Sequence, residues 1–173
     1  MRTPAKLEAD LVPTNTWGKN LRAVLPPSGW DRLRRWAYER AGHRCEICGA
    51  TGKEQGRKHD VEAHEIWEYD DVSHTQTLVG VQALCPRTHM VKHYGRSMKV
   101  GAAHVVRQHL AEVNGWSATT IAIYEDYIFD VHAHRSRFRW TVNMLDFLRD
   151  MHAQGVINDR DLEVAKENLR GKK

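Results

Sequence analysis

The residues best equipped for chemistry lie in the middle of a 173-residue chain. Cys45-Glu-Ile-Cys48 supplies two thiols, and Cys85-Pro-Arg-Thr-His89-Met-Val-Lys-His93 adds a third thiol and two imidazoles. Three cysteines do not make the disulfide framework of a small secreted domain. In a reducing compartment a Cys-x2-Cys pair reads as a metal knuckle or a redox pair. A redox pair opens a helix after a buried strand, whereas Gly49-Ala-Thr-Gly52 after this pair suits the turn of a zinc knuckle. Cys45, Cys48 and Cys85 are therefore the candidate ligands of one structural Zn2+. His89 and His93 are four residues apart, so on a helix they share one face. Upstream, His64-Glu65 sets an imidazole beside a carboxylate.

The elements that must position these groups follow from pattern and punctuation. Residues 1–27 hold Pro4, Pro13 and Asn15-Thr-Trp17-Gly18 with little periodicity, and read as an extended arm packed through Trp17 and Leu21. A helix is expected from about Ser28 to Ala41, capped by Ser28 and stopped by Gly42. Val61–Trp67 and Leu78–Leu84 are the strand candidates, and Pro86 at a first-turn position opens the helix that carries His89 and His93. Residues 28–100 thus form one core with a knuckle. Residues 101–173 form a helical extension, with helices expected over Gly101–Asn114, from Ser117 towards Arg137, near Asn143–Gln154 and over Asn158–Leu169. The fold class expected is α+β, a small zinc-braced ββα core with a helix before it and helices after it.

Knuckle, strand ending in His64-Glu65, loop, strand, then Cys85-x3-His89-x3-His93: this order resembles the HNH endonucleases, whose ββα-metal unit is often built over a four-cysteine zinc site. It is similar above all to a group of uncharacterised bacterial HNH proteins, over roughly Trp30 to Trp116; the last fifty or so residues have no counterpart there. The resemblance implies a metal-dependent nuclease that hydrolyses DNA phosphodiesters. A divalent cation such as Mg2+, Mn2+ or Zn2+ would then be held by His64, His89 and His93 in an open shell, with Glu65 as the base that activates water. Two positions depart from the family. Thr88 stands where relatives carry a cysteine, leaving the fourth zinc ligand open between His89, His43 and His59. Gly80 stands where the base-orienting Asn is usual.

The formal charge is +4, a weak pull towards polyanions. Its distribution is more informative. Val61 to Cys85 carries five carboxylates and no Lys or Arg, whereas Pro86 to Val100 carries Arg87, Lys92, Arg96 and Lys99 with no acid. These four are the expected phosphate contacts. Glu68, Asp70 and Asp71 read more simply as a solvated loop, with His74 a spare base. Arg135, Arg137 and Arg139 beside Trp140 read as a solvated helix face before a phosphate-binding edge. Trp36, Trp67, Trp116 and Trp140 read as core anchors.

No apolar run approaches the roughly 18–20 residues of a membrane span, and the N-terminus lacks the apolar segment of a secretory signal. A cytoplasmic phage or bacterial protein is expected. The rival reading is a catalytically degenerate HNH-like protein that binds nucleic acid. In a second form of that rival, residues 101–173 grip and inhibit a host protein.

Overall fold

The computed structural model describes residues 5–171, so residues 1–4 of the expected arm lie outside it. The chain is α+β, with a three-stranded sheet in the order β1-β2-β3 and helices on both of its sides. After a 3-10 turn at Thr14–Thr16 come α1 (Leu21–Val24) and α2 (Pro27–Arg40). Then follow β1 (Glu62–Asp70), β2 (Thr75–Leu84), α3 (Pro86–Lys92) and α4 (Tyr94–Lys99). The rest is α5 (Ala103–Asn114), α6 (Ala118–Arg135), β3 (Thr141–Asn143), α7 (Leu145–Ala153) and α8 (Asp159–Gly171). No described helix is long and apolar enough to cross a membrane.

Local chemistry sets most of the boundaries. Pro27 at the first turn starts α2 without a side-chain cap, so Ser28 does not take the capping role expected of it. Ser117 does cap α6, its hydroxyl accepting from Thr120 N at 3.1 Å, and Gly115 ends α5 in the left-handed region. Asn158 and Asp161 cap α8 reciprocally, each side chain accepting from the other's backbone N–H at 3.0 Å.

The β1–β2 hairpin is antiparallel, longer than the two runs expected, with a bulge between Ile66 and Trp67. β3 joins β2 in parallel through Thr75–Thr77, a pairing that three residues gave no sequence signal for. One core lies between α1, α2, the sheet, α7 and α8, with Leu21, Leu33, Ala37, Ala63, Leu78, Val81 and Leu148 at its centre. A second lies between α3–α6 and the N-terminal segment, around Leu7, Val91, Tyr94, Val106 and Leu110. Beyond residue 100, α7 packs on β2 and α8 on α1 and α7, while α5 packs on α3 and α4 and α6 on α5. Leu21 is buried as expected, but Trp17 is 59% exposed. Asn15 holds the segment instead, donating from Nδ2 to the Trp140 carbonyl at 3.0 Å.

Candidate metal centres

The first centre is made by the turn after α2 and the N-terminus of α3. Gly49 N–H donates to the Cys45 carbonyl at 2.8 Å, and Gly49 itself sits at φ 75°, a conformation that costs a Cβ-bearing residue strain. Glu46 ties this turn to the sheet. Its carboxylate accepts from Ala83 N at 2.6 Å and from Arg40 Nη2 at 2.8 Å. The result brings the sulfurs of Cys45, Cys48 and Cys85 within 4.8 Å of one another. Cys45 and Cys85 are buried, Cys48 is half-buried, and all three are free. Hydrogen bonds among the three sulfurs hold Cys85 towards the thiolate, the form that ligates metal, and push the Cys48 thiol up. The cluster can hold a metal ion such as zinc. None of His43, His59 and His89, the three histidines the sequence offered as a fourth ligand, belongs to it.

His89 belongs to the second centre. One ring nitrogen of each of His64, His89 and His93 lies within 4.8 Å of the others, and the three rings meet edge to face with centroids 4.6–5.1 Å apart. His64 reaches the cluster from β1, and the two others from one face of α3 and its C-terminal cap. Nε2 of His89 and Nε2 of His93 are 3.1 Å apart, the spacing of two donors that can share one cation at ordinary metal–nitrogen lengths of about 2.0–2.1 Å. Burial, then the charge of His89, pushes His93 down to about 4, and burial also lowers His64. Neutral imidazole, the ligating form, is therefore favoured.

Two carboxylates that the sequence reading gave no role orient these rings. Glu62 accepts from His89 Nδ1 and, at 2.8 Å, from His59 Nε2. Its two partners outweigh its burial and bring it down to about 2. Asp10 lies 2.6 Å from His64 Nε2 and 3.2 Å from Lys92 Nζ. A carboxylate on the far nitrogen of a ligating histidine fixes its tautomer and raises its basicity. Glu62 was findable, since it sits two residues before His64 and so on the same strand face. Asp10, 54 residues from His64, carries no local signal.

No family model, curated protein or solved structure matches the chain.

Glu65, expected as the base, is not brought to the histidines. Strand alternation turns it to the opposite face, where Oε1 accepts from Leu21 N at 2.6 Å and Oε2 from Trp67 Nε1 at 3.2 Å. Burial pushes its carboxyl up to about 7, yet its oxygens anchor α1 to the sheet. Gly80 lies on the His64 face opposite Ile66. A Cβ there would meet Ile66 Cδ1 at 3.2 Å, so Ile66 covers the position from which an Asn would reach. Gln82 is the residue paired with His64.

Among the expected phosphate contacts, Arg87, Arg96 and Lys99 are exposed, while Lys92 is taken up by Asp10. His74 stacks on Phe138 with centroids 4.2 Å apart, at the turn of the hairpin. Arg135 is neither a solvated nor a phosphate-facing residue. It donates to Asp71 at 2.7 and 2.9 Å and lies over the Tyr69 ring at 4.3 Å. A cavity of about 410 Å³ opens beside the second centre, lined by Arg22, Arg34, Tyr38, His59, Val61, Glu62, Ala63 and His89.

Proposed function

We propose that the chain is a metal-dependent nuclease of the HNH type, hydrolysing DNA phosphodiesters at the histidine centre while the cysteine centre braces the fold with zinc. The observation that carries this reading is the convergence of His64, His89 and His93, backed by Glu62 and Asp10, beside a cavity walled by Arg22 and Arg34. Three imidazole nitrogens and no anionic ligand suit an open cation site rather than a closed structural one. A bound divalent cation would stabilise negative charge on the phosphate oxygens.

The chain's own residues supply the rest. Arg22, in no ion pair within 4.0 Å among the described residues, though its charge is felt by Glu65, and with its guanidinium 4.9 Å from the Trp30 ring, offers a cation to the phosphate. Arg34 is paired with Asp31 at 2.7 Å and contributes the cavity wall. His59 replaces Glu65 as the proposed base. It is half-exposed, lines the same cavity as His89, and is oriented by Glu62 at 2.8 Å. It would take the proton of the attacking water as the new P–O bond forms and the bond to the leaving sugar oxygen breaks, that oxygen gaining its proton from solvent. Arg87, Arg96 and Lys99 would hold the flanking phosphates without reading bases.

The test is metal content of the purified protein, then incubation with plasmid and Mg2+, Mn2+ or Ni2+ in turn. Cleavage suppressed by chelator supports the enzyme; bound zinc with no cleavage under any of these metals rejects it. The covered Gly80 and the sequestered Lys92 favour one other reading, a degenerate member that binds nucleic acid without cutting it. Retarded DNA migration in the absence of cleavage is its signature.

A further inference from the structure

The cysteine centre has three thiols where a structural zinc takes four ligands, and the described residues around it point to the fourth. Thr88 is fully buried. Its Oγ1 lies 3.3 Å from Cys85 Sγ and 3.5 Å from Cys48 Sγ, and those two sulfurs are 3.6 Å apart. A tetrahedral ion with zinc–sulfur bonds of about 2.3 Å and a zinc–oxygen bond of about 2.0 Å requires sulfur–sulfur separations of about 3.8 Å and sulfur–oxygen separations of about 3.5 Å. The hydroxyl thus lies close to the separation that a fourth ligand of such an ion keeps from those two sulfurs.

What lies behind it is a histidine from a different part of the chain. His109, on α5, is 5% exposed, and its Nε2 is 2.8 Å from Thr88 Oγ1. Its Nδ1 is buried without a hydrogen bond among the described residues, 3.6 Å from Glu112 Oε2. A proton on Nδ1, facing that carboxylate, leaves Nε2 as an acceptor aimed at the hydroxyl.

We propose that Thr88 Oγ1 is the fourth zinc ligand and that His109 is its positioning residue, accepting the hydroxyl proton in a hydrogen bond and so turning the oxygen lone pairs onto the ion. Three thiolates already leave the centre with one net negative charge. A neutral hydroxyl adds none, and the neutral His109 imidazole polarises it without bringing a further anion into the core. The centre is then S3O, linked through His109 to α5, and it ties that helix to the knuckle. This assignment is independent of the nuclease reading, since no step at the histidine centre involves it.

The test loads the protein, labelled with 15N at histidine, with one equivalent of 113Cd2+, a soft ion that the thiolates select. The proposal expects one cadmium resonance with no direct cadmium–nitrogen coupling to His109. That resonance should shift towards a four-sulfur position in Thr88→Cys. In chelator competition with zinc, Thr88→Ser should stay within a few-fold of the parent. Thr88→Val should weaken binding by at least 10-fold, and His109→Phe by about 10–100-fold, the usual worth of an orienting partner. A cadmium–nitrogen coupling to His109 makes the imidazole the ligand and overturns the proposal. So does a zinc affinity unchanged in Thr88→Val, which hands the vertex to solvent. If Thr88→Val does not fold, Thr88→Ala takes its place in the competition, with the same loss expected.

Discussion

Glu62 accepts from Nδ1 of His89, and that contact fixes which nitrogen of His89 is left to face His93. The carboxylate would therefore act, without touching it, on a cation held there. Glu62→Gln keeps the shape but loses the charge, and metal affinity at the histidine centre should fall by roughly 10–100-fold. Cleavage should recover only in part at saturating metal, because Glu62 also orients His59. Isothermal titration with Mn2+ checks the first part, and a rate measured against metal concentration checks the second. Unchanged affinity would remove Glu62 from the site.

The cysteine centre is expected to couple metal binding to folding, because its ligands come from a turn and a helix start that few apolar contacts hold together. Cys48→Ser should lose zinc and melt at a clearly lower temperature than the parent. Chelator should produce the same change in the parent and little further change in the variant. A zinc-free parent with the same melting curve as the zinc-loaded protein would contradict this.

Exchanging the expected base for another gives a paired outcome. His59→Ala should cut the rate by about 10²–10⁴, the usual worth of a positioned acid–base group. Glu65→Gln should leave the rate within a few-fold, because Glu65 holds Leu21 and Trp67 on the other face of β1. The reverse pattern would return the base to Glu65.

The acid limb of stability should report on Glu125, which belongs to neither centre. Burial alone would raise its pKa, but Arg107 at 2.8 Å and Tyr94 at 2.5 Å hold it below the ordinary glutamate value. The unfolded chain therefore binds this proton at a higher pH than the native one. The stabilisation is complete above the unfolded pKa and is lost as pH falls through the native one. The melting-temperature gap between the parent and Glu125→Gln should be widest near about pH 6–7 and close towards about pH 3. A gap independent of pH would show that the contact is not electrostatic.

Much of this arrangement was legible in the sequence, because its signals are local. Pro86 announces α3, spacing places His89 and His93 on one face, and the turn residues after Cys48 announce the knuckle. The chemistry around those groups was less legible because it depends on tertiary packing. Asp10 and His109 reach the two centres from residues remote in the chain, and β3 is a three-residue parallel pairing. Glu65 failed for a simpler reason: neighbours on a strand point to opposite faces, so a base adjacent to a ligating His64 cannot share its site without a bulge between them. The bulge lies further on, between Ile66 and Trp67.

The most direct measurement of the central claim is the relaxation of supercoiled plasmid by the parent protein beside His64→Ala and His93→Ala, each in Mn2+ and again in chelator. Nicking by the parent in metal, its loss in chelator, and its loss in both zinc-loaded, folded variants is the expected result. Equal nicking by the parent and both variants, or none by the parent under any metal, would contradict it.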